Sequence, residues 1–256
     1  MPKFSRPTVV AFAVAIAGLL VAVVVAPDDQ PKSGCIETRV IGKSVKGIDI
    51  ELCHVGGSRI GSKNSLLVIG SIHGTELAGL KVVDDIIKQG AIDSDIWVIK
   101  NGNPDGAAAG VRQNANGVDL NRNFPTNWLP SDPTVGTFSG FSPASEPETQ
   151  AIMRTIDEIK PATVITMHQP FGLIDCAYER DLDLTQRLSD LTGLPAQCIP
   201  GQRSGSATNT YTGTISIWIN ERYQESTALA FEIGAAPTDA ELHKYADALR
   251  HLYSAS

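Results

Sequence analysis

Short apolar runs alternate with segments of helical period along most of this chain, and that alternation constrains the fold more than any other feature. Leu66-Leu67-Val68-Ile69-Gly70 has the length and composition of a strand buried on both faces. From Glu76 to Gln89, Leu77, Leu80, Val83, Ile86 and Ile87 recur at helical spacing, the apolar stripe of a surface helix. Further strands are predicted at 96–99, 162–167 and 227–233, and a hairpin with strands at 37–41 and 47–52. Ser145-Glu146-Pro147-Glu148 and Thr238-Asp239-Ala240-Glu241 read as capping boxes, opening helices that run to about Ile159 and Leu252. Another helix is predicted over 181–192. Strands alternating with helices imply an α/β sheet covered on both faces. Residues 102–145 break the pattern, being rich in Gly, Asn, Pro and Ser. So long an irregular stretch in a compact domain is usually functional.

Ahead of this region, Lys3 and Arg6 precede an uninterrupted apolar run from Val9 to Ala26. Its length is close to the ~20 residues that span a bilayer as a helix. With its basic flank it reads either as a membrane anchor that leaves the rest exported or as a signal peptide cleaved after Val24-Val25-Ala26. Export accounts for four cysteines, an even number suited to an oxidising compartment. Cys35 and Cys53 flank the predicted hairpin, and Cys176 and Cys198 bracket the 181–192 helix. Pairing in that order is expected. Zinc-thiolate binding is the alternative, although no close Cys-x-x-Cys pair is present. The formal charge of −7 argues against a nucleic-acid surface.

Chemistry is concentrated at the ends of the predicted strands. His73 follows the Leu66 run, and Glu76 stands in the first turn of the next helix. His168 ends the 162–167 strand and Glu232 lies within the 227–233 strand. In open α/β sheets ligands gather outside the carboxyl ends of strands. Two histidines and one glutamate, with a fourth position left for water, are a catalytic zinc pattern. A further carboxylate, Glu232, could take a proton from that water and pass it to a leaving amine. Each residue alone has a plainer reading: a His-x-x-Glu pair is common, His168 could be structural, and Glu232 could be a buried carboxylate paired with an arginine. His54, His243 and His251 read as structural or solvent-facing.

The irregular region narrows the choice. Asn103-Pro104-Asp105-Gly106 is followed by Gly110-Val111-Arg112-Gln113-Asn114-Ala115-Asn116-Gly117-Val118-Asp119-Leu120-Asn121-Arg122-Asn123-Phe124-Pro125. This string resembles the zinc carboxypeptidase family. Asn127-Trp128, Ser145-Glu146-Pro147-Glu148-Thr149-Gln150, His168-Gln169-Pro170, Ile174-Asp175 and Gly213–Trp218 are most similar to its bacterial murein peptide amidase branch. The resemblance covers roughly residues 65–252. It implies a three-layer α/β/α fold with a mixed, twisted central sheet. Together with the apolar run, which stands outside the resemblance, the chain is expected to divide into an N-terminal leader or anchor with a short linker (1–30) and a catalytic domain (31–256).

Position by position, the resemblance implies one zinc ion held by His73, Glu76 and His168, with Glu232 as general base and acid. Arg112 matches the arginine that stabilises the oxyanion. Asn121 and Arg122 match the pair that grips a substrate carboxylate, a task suited to a planar guanidinium. Asp119 matches a carboxylate that orients His73, with a simple turn residue as its plainer reading. Tyr211 is only an approximate match to the tyrosine that caps substrate. Asp175 is read as contacting the polar end of diaminopimelate, with a loop-capping aspartate as the alternative.

The reaction implied is hydrolysis of the γ-D-glutamyl–diaminopimelate amide in murein peptides. Murein peptide amidases typically lack a leader, whereas this chain is expected to act in the periplasm or cell envelope, touching membrane only through residues 9–26. The stretch between that segment and the first core strand is too short for an inhibitory pro-domain, so activity without processing is expected. The competing functions are a general carboxypeptidase, an acyl-amino-acid deacylase of the aspartoacylase type, and a non-catalytic muropeptide binder.

Overall fold

The computed structural model describes residues 34–56, 63–92, 94–175, 182–199 and 211–254. The apolar segment 9–26 and Cys176 lie outside them. Among the described residues no helix is long and apolar enough to cross a membrane. The compact unit is Lys32–Ser256.

Seven strands form one mixed sheet: β1 (Glu37–Lys43), β2 (Asp49–Gly56), β3 (Ser65–Ile69), β4 (Asp95–Ile99), β5 (Thr163–His168), β6 (Phe171–Ile174) and β7 (Thr227–Gly234), in the order β1-β2-β4-β3-β5-β7-β6. The four central strands are parallel and the outer pairings antiparallel. Strands β3 and β5 are buried at every residue, as strands covered on both faces must be. Helices α1 (Ala78–Gln89), α4 (Leu182–Thr192) and α6 (Asp239–Arg250) contribute Val83, Ile86, Leu188 and Leu249 to one apolar core. Helices α3 (Pro147–Ile159) and α5 (Ile215–Arg222) contribute Ile152, Ile156 and Trp218 to a second. The covered sheet predicted from sequence is therefore present, as a three-layer α/β/α arrangement.

Strand order places the site. From β3 the chain passes through α1 to β4 on one side, while β5 and β7 lie on the other. The carboxyl ends of β3 and β5 thus flank a topological switch point, where a crevice opens between diverging connections. Helix α1 presses closely on this end of the sheet. A Cβ on Gly79 would fall 2.1 Å from the Gly70 carbonyl oxygen and 2.5 Å from Met167 Cβ, so only glycine permits that approach.

Helix α6 carries the capping box expected at Thr238 and Glu241, with both reciprocal bonds formed. The box expected at Ser145 is absent. Helix α3 starts at Pro147 with Glu146 as N-cap and no side-chain cap. Glu148 instead accepts hydrogen bonds from the Val45 N–H and the Asn114 amide at 3.0 and 3.1 Å. Within residues 102–145 the structure adds a short helix α2 (Pro104–Ala109) and a 3-10 turn (Leu120–Arg122).

Cys35 and Cys53 form the expected disulfide, with Cα atoms 5.5 Å apart. It closes a loop of sequence separation 18, a size for which cross-linking contributes about 3 kcal/mol in the chain-entropy model. Cys198 is also disulfide-bonded.

Candidate metal centre and cleft

Three side chains converge at the switch point. The loop after β3 delivers His73 and Glu76, and the last residue of β5 is His168. His73 Nδ1 lies 2.9 Å from Glu76 Oε2, His168 Nδ1 lies 3.0 Å from the same oxygen, and the two Nδ1 atoms are 3.3 Å apart. These spacings fit one small cation. A tetrahedral ion with bonds of ~2.0–2.1 Å holds its ligand atoms about 3.3 Å from one another. All three residues are buried, and two imidazoles with a carboxylate are a donor set that zinc prefers. Although burial opposes ionisation of Glu76, hydrogen bonds from His168 and His73 hold its carboxyl well below the usual range. The charged form that ligates metal is therefore favoured.

A shell of fixed groups orients these donors. Asp119, 0 % exposed, accepts from His73 Nε2 at 3.1 Å, from Arg112 Nε at 3.0 Å and from the Asn121 N–H at 2.9 Å. Burial of Asp119 is outweighed by the facing His73 and by Arg122 and Arg112, and the group is held strongly acidic. It occupies the N-cap of the 3-10 turn that presents Asn121 and Arg122. Arg112 Nη1 donates to Glu76 Oε1 at 2.8 Å. Asn121 Nδ2 lies 3.4 Å from His168 Nε2, while its Oδ1 accepts from the Ile215 N–H at 3.0 Å.

Glu232 stands beside His168 in the register of β5 and β7. It is 6 % exposed, and among the described residues its Oε2 has no hydrogen-bond partner. Burial pushes its carboxyl above the usual value, with His168 opposing. An underused, proton-hungry oxygen next to three metal donors is an arrangement suited to moving protons.

These residues line a cleft of about 520 Å³ that holds His73, Glu76, Arg112, Asn121, Arg122, His168, Tyr211 and Glu232. Arg122 lies over the Tyr211 ring, 4.8 Å from its centre, so the approximate match at Tyr211 does face the cleft. Charge balance is informative. Glu76, Asp119 and Glu232 set against Arg112 and Arg122 leave one net negative charge. A dication reverses that sign and makes the cleft attractive to a substrate carboxylate.

Asp175 follows directly on β6. It is 0 % exposed and is not part of the described cleft lining. Its Oδ1 accepts from the Ile199 N–H at 2.7 Å. Strand β6 runs antiparallel to β7, from Phe171 opposite Gly234 to Ile174 opposite Phe231, and Ile199 itself lines the cleft. Gln169, used in the sequence only as part of the His168-Gln169-Pro170 resemblance, was given no role of its own. Its backbone N–H donates to Glu76 Oε2 at 3.2 Å, and its side chain ties the Ala78 N–H to the Gly234 carbonyl. Its position next to a ligand and its place within that motif were the available signals. His54 is a core residue paired with Asp95 and stacked on Trp97, while His243 and His251 are exposed.

Comparison with known proteins agrees with this geometry. The zinc carboxypeptidase family model matches residues 30–217. Murein peptide amidase A of Escherichia coli K12 is 35% identical over 129 residues, which are 44% of this chain and 52% of that protein. The match therefore spans about half of that relative. Murein peptide amidase A of Vibrio campbellii is 28% identical over 223 residues, covering 81% of this chain and 83% of that protein. The crystal structure of murein-tripeptide amidase MpaA from E. coli O157 superposes with a TM-score of 0.70 at 26% identity, over 89% of this chain and 95% of that one.

Proposed function

On the premise that the chain belongs to the zinc carboxypeptidase family and is a hydrolase, we propose that it is a zinc-dependent amidase cleaving the γ-D-glutamyl–diaminopimelate bond of murein peptides. The observation that carries the hydrolytic reading is the Oε2 of Glu232, without a hydrogen-bond partner among the described residues, beside three converging metal donors. The murein assignment is supported by the similarity to murein peptide amidases along most of the chain. It is also supported by a cleft whose described lining carries two guanidiniums and a buried amide.

His73, Glu76 and His168 would hold the ion, and Asp119 fixes the tautomer of His73 through its Nε2. Zinc, when bound there, supplies the positive charge that acidifies water and polarises the scissile carbonyl. Glu232 accepts the proton from water and returns it to the leaving amine, a shuttle its burial favours. Arg112 reaches into the cleft from Asp119 and Glu76, and directs its charge at the oxyanion of the tetrahedral adduct. Arg122 and Asn121 dock the free carboxylate of the departing residue.

The test is a substrate panel followed by mass spectrometry: L-Ala-γ-D-Glu-diaminopimelate, the lysine-containing tripeptide, ordinary α-linked peptides and acetyl-aspartate. Release of free diaminopimelate at a rate at least ten times that of the other substrates is expected. Faster trimming of ordinary peptides would reassign the protein as a general carboxypeptidase, and preference for acetyl-aspartate as a deacylase. Binding of the tripeptide without turnover would leave a muropeptide-binding protein.

We further propose that the protein works outside the cytoplasm, attached or delivered by residues 9–26. The Cys35–Cys53 disulfide and the oxidised state of Cys198 support an oxidising compartment. Expressed as the full chain in a bacterium, it should resist thiol alkylation unless reduced, and should be cut by protease added to spheroplasts. Alkylation without reductant, together with protease protection, would place it in the cytoplasm.

A further inference from the structure

We propose that Asn103 is a positioning residue for Arg112, holding the arginine's backbone against the His73 loop although its own side chain never meets substrate. This rests on the role given above to Arg112.

Asn103 is 0 % exposed and outside the described cleft lining. Its side chain is used on both atoms. Oδ1 accepts from the Gly106 N–H at 3.0 Å, which caps α2. Nδ2 donates to the Ile72 carbonyl at 3.3 Å and to the Arg112 carbonyl at 3.1 Å. One amide group thus joins three backbones: the residue before His73, the start of α2, and Arg112 itself. An amide has two N–H groups, and here both are spent on carbonyls in a buried junction.

The junction leaves no slack. Gly74 N–H donates to the same Arg112 carbonyl at 3.2 Å. A Cβ on Gly74 would lie 2.0 Å from Gly106 C and 2.3 Å from the Val111 oxygen. Backbone meets backbone there, with Asn103 as the polar fastening between them.

The two sides of the fastening are not equally held. The His73 side is anchored independently: Ile72 is a core residue, Ser71 Oγ donates to the His73 carbonyl at 2.9 Å, and Gly102 N–H donates to the Ser71 carbonyl at 2.7 Å. On the other side, among the described residues the Arg112 carbonyl accepts only from Asn103 Nδ2 and the Gly74 N–H. Loss of the Asn103 amide therefore frees the Arg112 backbone more than it frees the metal ligands, and leaves the guanidinium to be placed by Asp119 and Glu76 alone. A guanidinium that drifts from the developing oxyanion loses interaction in the transition state rather than in substrate binding, and small displacements of such groups cost heavily.

The test is a cycle on the full chain with whichever peptide of the panel is cleaved. It uses Asn103→Ser, which keeps one donor, Asn103→Ala, Arg112→Ala, and each double variant, with thermal melts on all of them. Expected is a kcat lowered about 30-fold by Asn103→Ala and less by Asn103→Ser, with KM within about twofold. In the Arg112→Ala background the further loss should be under about threefold. Zinc affinity, read by competition with a chromophoric chelator, should change less than about threefold, against the 10–100-fold seen when a group orienting a ligand is lost. Equal kcat losses in both backgrounds, or a loss that tracks zinc affinity, overturns the proposal. If Asn103→Ala does not fold, Asn103→Ser decides by the same coupling. If Arg112→Ala itself leaves kcat unchanged, it is the role of Arg112 that fails.

Discussion

Replacing Glu232 by glutamine lowers kcat by about three orders of magnitude, within the range that a positioned acid–base group contributes and equal to ~4 kcal/mol of barrier. The substitution keeps shape and hydrogen-bonding reach but removes the ability to accept a proton. KM stays within a few-fold, since Arg122 and Asn121, proposed to dock the carboxylate, lie on another segment. Metal content is unchanged because the three donors come from the β3 loop and the end of β5. The pH dependence has a definite sign. In the role proposed for Glu232 its ionised form is the competent base, and burial raises its pKa with His168 opposing. The wild-type rate therefore falls with decreasing pH through a value above the usual glutamate range of ~4.3, and Glu232→Gln loses that limb. Steady-state kinetics between pH 4.5 and 9 measure both effects. A glutamine variant retaining a tenth of wild-type kcat would remove Glu232 from the chemistry.

Much of this site was legible in the sequence because its residues sit at places that sequence pattern locates well. The Leu66–Ile69 run and the 163–168 strand are apolar and β-branched, and their last residues mark the carboxyl edge of the sheet where His73 and His168 emerge. What was not legible lacks periodicity or depends on tertiary contact. Helix α5, Ile-Ser-Ile-Trp-Ile-Asn-Glu-Arg, is buried through its first six residues, so no polar face exists to reveal a helical period. Strand β6 has four residues between Pro170 and Asp175, too few to show alternation. The direction in which the chain leaves His168 toward Asp175 was not legible either, since it is set by the antiparallel course of β6 along β7. Ser145 satisfied a capping pattern, but Glu148 had better partners in Val45 and Asn114, donors far away in sequence. Asn103 shows the same limit: its importance lies in touching Ile72 and Arg112 at once, a fact of folding rather than of spacing.

Stripping the metal abolishes turnover and lowers the melting temperature together. The donors at His73, Glu76 and His168 stand 2.9–3.3 Å apart in a buried cluster, on loops and strand ends that belong to the native sheet. An ion bound there stabilises only the folded state. With free zinc at 1,000 times its dissociation constant the contribution is about 4 kcal/mol, which for a domain of this size corresponds to roughly 8–16 °C in Tm. Calorimetry of the protein as purified, after treatment with a zinc chelator, and after zinc is restored, measures the shift, and the peptide assay run in parallel follows activity. Both should recover together on addition of zinc. His168→Ala should resemble the chelated protein and be insensitive to added zinc, since two remaining donors cannot close a site that needs three protein ligands. A chelated protein that keeps both its rate and its Tm would mean that this cluster holds no functional ion. Loss of rate with an unchanged Tm would mean the ion is bound too weakly to be linked to folding at the zinc concentration used, and the affinity would then have to be measured directly.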